Sequence, residues 1–81
     1  MFSRTLFGLR LRNLRKQHGE TQSDLGKLLL VKKSQISGLE QGNVSTTPEK
    51  IVTICTHYHV SADYLLGFTD DPEPHWNENM D

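Results

Sequence analysis

Only Leu30 and Val31 separate two short segments that both have the apolar spacing of amphipathic helices. The first opens at Thr21, whose hydroxyl can cap a helix, and continues along a leucine-rich stripe. The second covers about Lys32 to Gln41 and is followed by Gly42, a residue type common just after a helix. Two short helices with so tight a connection must cross steeply. The pattern therefore predicts a helix-turn-helix arrangement.

Three further helices are predicted around this pair. Apolar residues spaced by four and three positions indicate a first helix that ends at His18-Gly19. Thr47-Pro48-Glu49 is a start signal for a fourth helix, because it combines a capping hydroxyl, a proline and an acid in order. Ser61 is positioned to cap a short fifth helix before Gly67. No segment has a strand pattern, so the predicted fold class is all-α, a compact five-helix bundle around one core.

Charge is distributed unevenly along the 81 residues, which are enough for one domain. Residues 70–81 carry five acids and no Lys or Arg, whereas residues 1–69 carry nine bases and five acids, a net of +4. We therefore expect a basic helix-turn-helix domain over residues 1–68 and an acidic tail over 69–81. The start of the chain lacks the apolar run of a signal peptide, and Cys55 is the single cysteine. Both features favour a cytoplasmic protein.

Several motifs, in this order and spacing, carry a resemblance to a known family. They are Leu11-Arg12-Asn13-Leu14-Arg15-Lys16, Gly19-Glu20-Thr21-Gln22, Leu25, Leu28-Leu29, SQISGLEQG from Ser34 to Gly42, and VSADYLLG from Val60 to Gly67. Over residues 7–68 the chain resembles the lambdoid phage repressor and Cro type of helix-turn-helix, also found in restriction-modification controller proteins and bacterial regulators. The resemblance implies a transcriptional regulator, of repressor or controller type, that binds double-stranded DNA as a symmetric dimer and reads the major groove with helix three.

The same resemblance implies roles for individual residues. Those expected to contact base edges are Lys33, Ser34, Gln35 and Ser37, whose side chains suit direct readout. Those expected to contact phosphates are Thr21, Gln22, Lys32 and Asn43, with Gln22 also bracing the base-reading side chains. Arg15 and Glu40 match positions that form a partly buried ion pair in some relatives, which gives them a structural role. Catalytic residues, cofactors and metals are not expected.

Some positions depart from the family pattern. Leu30 and His59 stand where helix-ending glycines are usual, so each either adopts a left-handed conformation or ends its helix differently. Gly38 stands where a base-contacting side chain is common, which leaves either a close backbone approach or no contact. The loop Asn43-Val44-Ser45-Thr46 lacks the Lys or Arg of many relatives, and this weakens the expected hold on phosphates.

Two questions stay open at this stage. The stripe Phe2, Leu6 and Leu9 is either an extension of the core or a surface for a weak homodimer, and Tyr64, Phe68 and Trp76 are rival candidates for that surface. The acidic tail with Trp76 is also compatible with an antitoxin-like module that holds a partner protein. Cys55, His57 and His59 suggest a metal site, but only Cys55 and His59 share a helix face. A core role for Cys55 is the simpler interpretation.

Overall fold

The computed structural model describes residues 2–74, which contain five helices and no strand. The helices are α1 (Arg4–Gln17), α2 (Gln22–Leu29), α3 (Lys33–Glu40), α4 (Pro48–Tyr58) and α5 (Ala62–Leu66). The all-α, five-helix architecture predicted from the sequence is confirmed, with α2 and α3 as the helix-turn-helix pair. No helix in residues 2–74 has both the length and the apolar character needed to cross a membrane.

Side-chain caps fix the start of four helices. Thr21, Thr47 and Ser61 each accept a hydrogen bond from a backbone N–H in the first turn of the following helix, as predicted. Ser3 does the same for α1. Thr21 forms a full capping box, because Asp24 in turn accepts from the Thr21 N–H at 2.9 Å. These local bonds satisfy N–H groups that a helix cannot pair internally, so they set where each helix begins.

Two helices end in the left-handed conformation on residues other than glycine. Leu30 closes α2 with φ 59° and ψ 41°, and His59 closes α4 with φ 54° and ψ 52°. The left-handed alternative is therefore the one adopted at both sites, at a cost of roughly 1–2 kcal/mol per residue. The Leu30 side chain is 91% exposed, so packing offsets little of that cost.

The core lies where α1 crosses the other helices. α1 packs against α3 and α5, α2 packs against α3 and α4, and α4 packs against α5. The buried apolar side chains are Phe7, Leu11, Leu14, Leu25, Leu29, Ile36, Leu39, Ile54, Cys55, Tyr58, Val60 and Leu65. Cys55 is thus a buried core residue. α1 approaches α3 closely at Gly8, where a Cβ would overlap the carbonyl oxygens of Leu39 and Glu40.

The segment that follows α5 returns to the bundle. The Arg10 guanidinium donates to the carbonyl oxygens of Tyr64 and Thr69, and to Asp70 Oδ1 at 2.7 Å. It also lies 4.1 Å from the centroid of the Tyr64 ring, within cation–π range. The Ser61 N–H donates to the Pro72 carbonyl at 3.0 Å. Residues 69–72, assigned to the tail from sequence, therefore contact α1 and the start of α5.

Candidate nucleic-acid interface

α3 has one buried side and one solvent side. Ile36 and Leu39 are 0% and 1% exposed and hold the helix against the core. Lys33, Ser34 and Gln35 are all exposed in its first turns. Since successive residues of a helix are rotated by about 100°, Lys33 and Gln35 lie on either side of Ser34. The structure thus brings three of the four predicted base-contacting residues onto the open face of the helix.

The fourth predicted base contact, Ser37, lies one turn later and is half-buried. Its Oγ accepts from Gln41 Nε2 at 3.0 Å, and Gln41 Oε1 accepts from Asn43 Nδ2 at 3.1 Å. This chain of hydrogen bonds continues past the end of α3 and ends on an exposed residue, Asn43. Gly38 faces the loop, where a Cβ would lie 3.2 Å from Val44 Cγ2. Its missing side chain therefore makes room for Val44.

Gln22 lies at the start of α2 and contacts α3. Its Nε2 donates to Glu40 Oε1 at 3.1 Å. Glu40 also accepts from Arg15, with Nε 2.6 Å from Oε2 and Nη2 3.0 Å from Oε1. The side chain of Glu40 is only 3% exposed, and its hydrogen bond raises the pKa of Arg15. The bidentate ion pair joins α1 to α3, and Gln22 contacts that pair through Glu40.

The remaining predicted phosphate contacts are exposed. Lys32 is the N-cap residue of α3 and is exposed at the surface. Thr21 Oγ1 accepts from the Asp24 N–H at 3.0 Å. A hydroxyl used in this way can still donate its proton to another acceptor. Lys32 and Thr21 occupy the N-terminal ends of α3 and α2, where backbone N–H groups also favour anions.

A polar network behind the ion pair was not predicted from the sequence. Arg15 Nη1 donates to the Glu20 carbonyl at 2.8 Å, and the Glu20 carboxylate accepts from Tyr58 Oη at 2.5 Å. His57 Nε2 lies 2.6 Å from the other Glu20 oxygen. Burial would raise the pKa of Glu20, but the hydrogen bonds from Tyr58 and His57 outweigh it and lower that pKa. The network connects the end of α4 to the residue just before the helix-turn-helix.

A polar pocket of about 200 Å³ opens between α1, α2 and α3. Its lining consists of Arg12, Arg15, Gln22, Ser37, Glu40 and Gln41. The pocket therefore brings two predicted contact residues, Gln22 and Ser37, into one site. It also contains Arg12, which the sequence did not single out because isolated surface arginines are common. Lys33 and Gln35 lie outside it.

Comparison with known proteins gives the family. A model described as a helix-turn-helix domain matches residues 6–75. The chain belongs to the helix-turn-helix domain family. It is 42% identical over 65 residues to YobD, an uncharacterized HTH-type transcriptional regulator of Bacillus subtilis. The match covers 80% of this chain and 58% of YobD. It is 33% identical over 69 residues to the HTH-type transcriptional regulator PrpR of Mycobacterium tuberculosis, covering 85% of the chain and 14% of PrpR.

Solved structures give the same result for this helix-turn-helix protein. The P22 c2 repressor, crystallised with a synthetic operator, has a TM-score of 0.70 and 33% identity, covering 75% of this chain and 92% of that one. The restriction-modification controller protein C.AhdI of Aeromonas hydrophila has a TM-score of 0.67 and 29% identity, covering 76% and 94%. The resemblance to phage repressors and controller proteins is confirmed, and these relatives are regulators rather than enzymes.

Proposed function

We propose that the protein binds duplex DNA sequence-specifically, as a repressor or controller-type regulator, with α3 in the major groove. The observation that carries this proposal is the orientation of α3. Burial of Ile36 and Leu39 leaves Lys33, Ser34 and Gln35 exposed at the N-terminal turns. Helix-turn-helix proteins dock in this way, with the first turns of the second helix against base edges. The likeness to an operator-bound repressor supports the proposal.

Within this function we assign base reading mainly to Lys33 and Gln35. Lysine can donate to guanine O6 and N7, and glutamine can pair with adenine N6 and N7. Ser34 and Ser37 would add short and less selective contacts. Gln22, Lys32, Thr21 and Asn43 would hold phosphates. Lys32 and Asn43 flank α3, Thr21 and Gln22 stand at the start of α2, and all four side chains carry donors.

We further propose a weak, symmetric homodimer, because one short helix reads only a few base pairs. Leu9 is 51% exposed on α1 and Phe68 is 79% exposed after α5, so both stripes named from sequence offer apolar surface. Tyr64 is partly buried beneath Arg10, and Trp76 lies outside the described residues. Sedimentation over a concentration range, with Leu9→Glu and Phe68→Glu compared, identifies the surface used.

The test separates base reading from phosphate holding. A preferred duplex is first selected from a random pool at moderate salt. Lys33→Ala and Gln35→Ala should each lose roughly 1–3 kcal/mol on that duplex and relax selectivity at particular positions. Lys32→Ala and Gln22→Ala should weaken the selected and random duplexes by similar factors. Lys32→Ala should also reduce the salt slope by about one unit, whereas neutral Gln22 should barely change it.

Two outcomes would count against the proposal. If the pool yields no enriched sequence, sequence-specific recognition is ruled out. Equal losses on every sequence for Lys33→Ala and Gln35→Ala would mean that α3 does not read bases with these residues. Thermal unfolding of each variant serves as the control, because all four side chains lie outside the buried apolar core.

A further inference from the structure

We propose that the pocket between α1, α2 and α3 is a seat for one DNA backbone phosphate and that Arg12 supplies its positive charge. This inference rests on the proposed DNA-binding function and adds to it a contact from α1. The DNA contacts assigned from sequence lie at α2, at α3 or in the loop after α3. Arg12 lies on α1, yet it lines the same pocket as Gln22, Ser37 and Gln41.

The pocket carries a net positive charge. Its charged lining residues are Arg12, Arg15 and Glu40, so one positive charge is in surplus. Arg15 and Glu40 neutralise each other in the bidentate pair. Glu40 would repel an anion if its carboxylate were open, but both its oxygens accept hydrogen bonds and its side chain is 3% exposed. Arg12 is therefore the charge that the pocket presents to a ligand.

The Arg12 side chain is accessible to a ligand. It is exposed, and it takes part in no ion pair among residues 2–74. Two other arginines of α1 differ, since Arg10 is paired with Asp70 and Arg15 with Glu40. An unpaired guanidinium has five donors in a planar fork that matches the geometry of phosphate oxygens.

The other lining residues of the pocket are polar but uncharged. Gln22 and Gln41 are amides and Ser37 is a hydroxyl, and each can donate to a phosphate oxygen. Gln22 and Gln41 donate one amide hydrogen each to Glu40 and Ser37, at 3.1 Å and 3.0 Å. The second hydrogen of each amide can donate to a phosphate oxygen. One cation surrounded by neutral donors, beside the open face of α3, suits a singly charged phosphodiester of the DNA backbone.

The closing experiment compares Arg12→Gln with Arg4→Gln. Both remove one charge from α1 and both place a good helix former in the helix. Arg4 is exposed at the first residue of α1 and does not line the pocket. On the selected duplex, Arg12→Gln should weaken binding about tenfold and reduce the salt slope by about one unit. Arg4→Gln should change both much less, and base preference should stay the same in both variants.

A second arm locates the phosphate. Methylphosphonate groups, which are neutral, are introduced one at a time along the duplex backbone. At one position the substitution should weaken binding of the unaltered protein but not of Arg12→Gln. The variant already lacks the guanidinium, so it loses nothing further when the phosphate charge is removed. Arg12→Lys should restore the salt slope, since it restores the charge.

The outcomes distinguish this inference from the proposed function. If the protein selects a duplex but Arg12→Gln matches Arg4→Gln in affinity and slope, the inference is overturned and the function stands. Absence of any duplex binding overturns both. Free inorganic phosphate is the other ligand that this pocket chemistry suits. A titration with inorganic phosphate, followed by NMR at the Arg12 Nε–H resonance, tests it. Tight binding of free phosphate that leaves DNA affinity unchanged would make this a free-anion site and overturn the inference.

Discussion

Two arginines one and a half turns apart on α1 hold the molecule together in different ways. Arg15 faces α3 and forms a bidentate pair with Glu40, whose side chain is 3% exposed. Arg10 faces α5 and donates to two backbone carbonyls, and its carboxylate partner, Asp70, is fully exposed. The Arg15 pair is shielded from solvent, whereas the Asp70 carboxylate is screened by water and salt. The same residue type should therefore contribute very differently to stability on the two sides of α1.

The largest effect is expected from breaking the buried pair. Glu40→Ala should destabilise the fold by about 3–5 kcal/mol, because it leaves Arg15 charged, buried and without its carboxylate. The double variant Arg15→Met, Glu40→Leu should recover much of that loss, since it removes both charges together. Urea unfolding of the three proteins measures the difference. A loss below about 1 kcal/mol for Glu40→Ala would mean that water replaces the carboxylate. The ion pairs of Arg15 and Arg10 would then contribute similarly to stability.

An intermediate effect is expected from removing residues 70–81. The Ser61 N–H then loses the Pro72 carbonyl, and a buried unpaired donor costs about 1–3 kcal/mol. The shortened chain should still fold. It should also bind random duplex more tightly at low salt, because the charge rises from −1 to +4.

A full-length control separates the two consequences of that truncation. Glu73→Gln removes one acid but keeps the Pro72 carbonyl in place. This variant should raise the affinity for random duplex with little change in stability. An equal loss of stability in the control would assign the effect to the acidic side chains and not to the backbone hydrogen bond.

The smallest effect is expected from Asp70→Ala. An exposed ion pair contributes about 0–1 kcal/mol, and Arg10 keeps both its carbonyl acceptors and the Tyr64 ring in this variant. The loss should shrink further as salt is added. Unfolding free energies at two ionic strengths provide the measurement, and a loss comparable to that of Glu40→Ala would remove the contrast between the two arginines.

The sequence predicted the helices well because their signals are local. The caps at Thr21, Thr47 and Ser61 each act within four residues, so their effect can be read without knowing the fold. The exposure of α3 followed from the same kind of pattern, since the positions of Ile36 and Leu39 define its buried side. The all-α class and the adjacent pair of short helices, α2 and α3, required nothing more.

The parts that the sequence did not predict depend on residues far apart in the chain. Glu20 meets Tyr58 across 38 positions, and Ser61 meets Pro72 although no pattern relates them. Arg12 gave no signal because its position relative to Gln22 depends on how α1 crosses α2 and α3. The outcome at Leu30 was left open for a different reason. The turn between α2 and α3 has a positive φ at this position, which is unfavourable for leucine.

The close approach at Gly8 determines which positions of α3 are free to vary. α1 touches the carbonyls of Leu39 and Glu40, so α3 is held at its C-terminal end, while Lys33 and Ser34 at the other end take no part in the core. Positions that hold the helix and positions that face outward are thus different residues. Substitutions at the outward positions can accumulate without reopening the core, so a descendant of this chain could acquire a new binding preference while inheriting the scaffold unchanged.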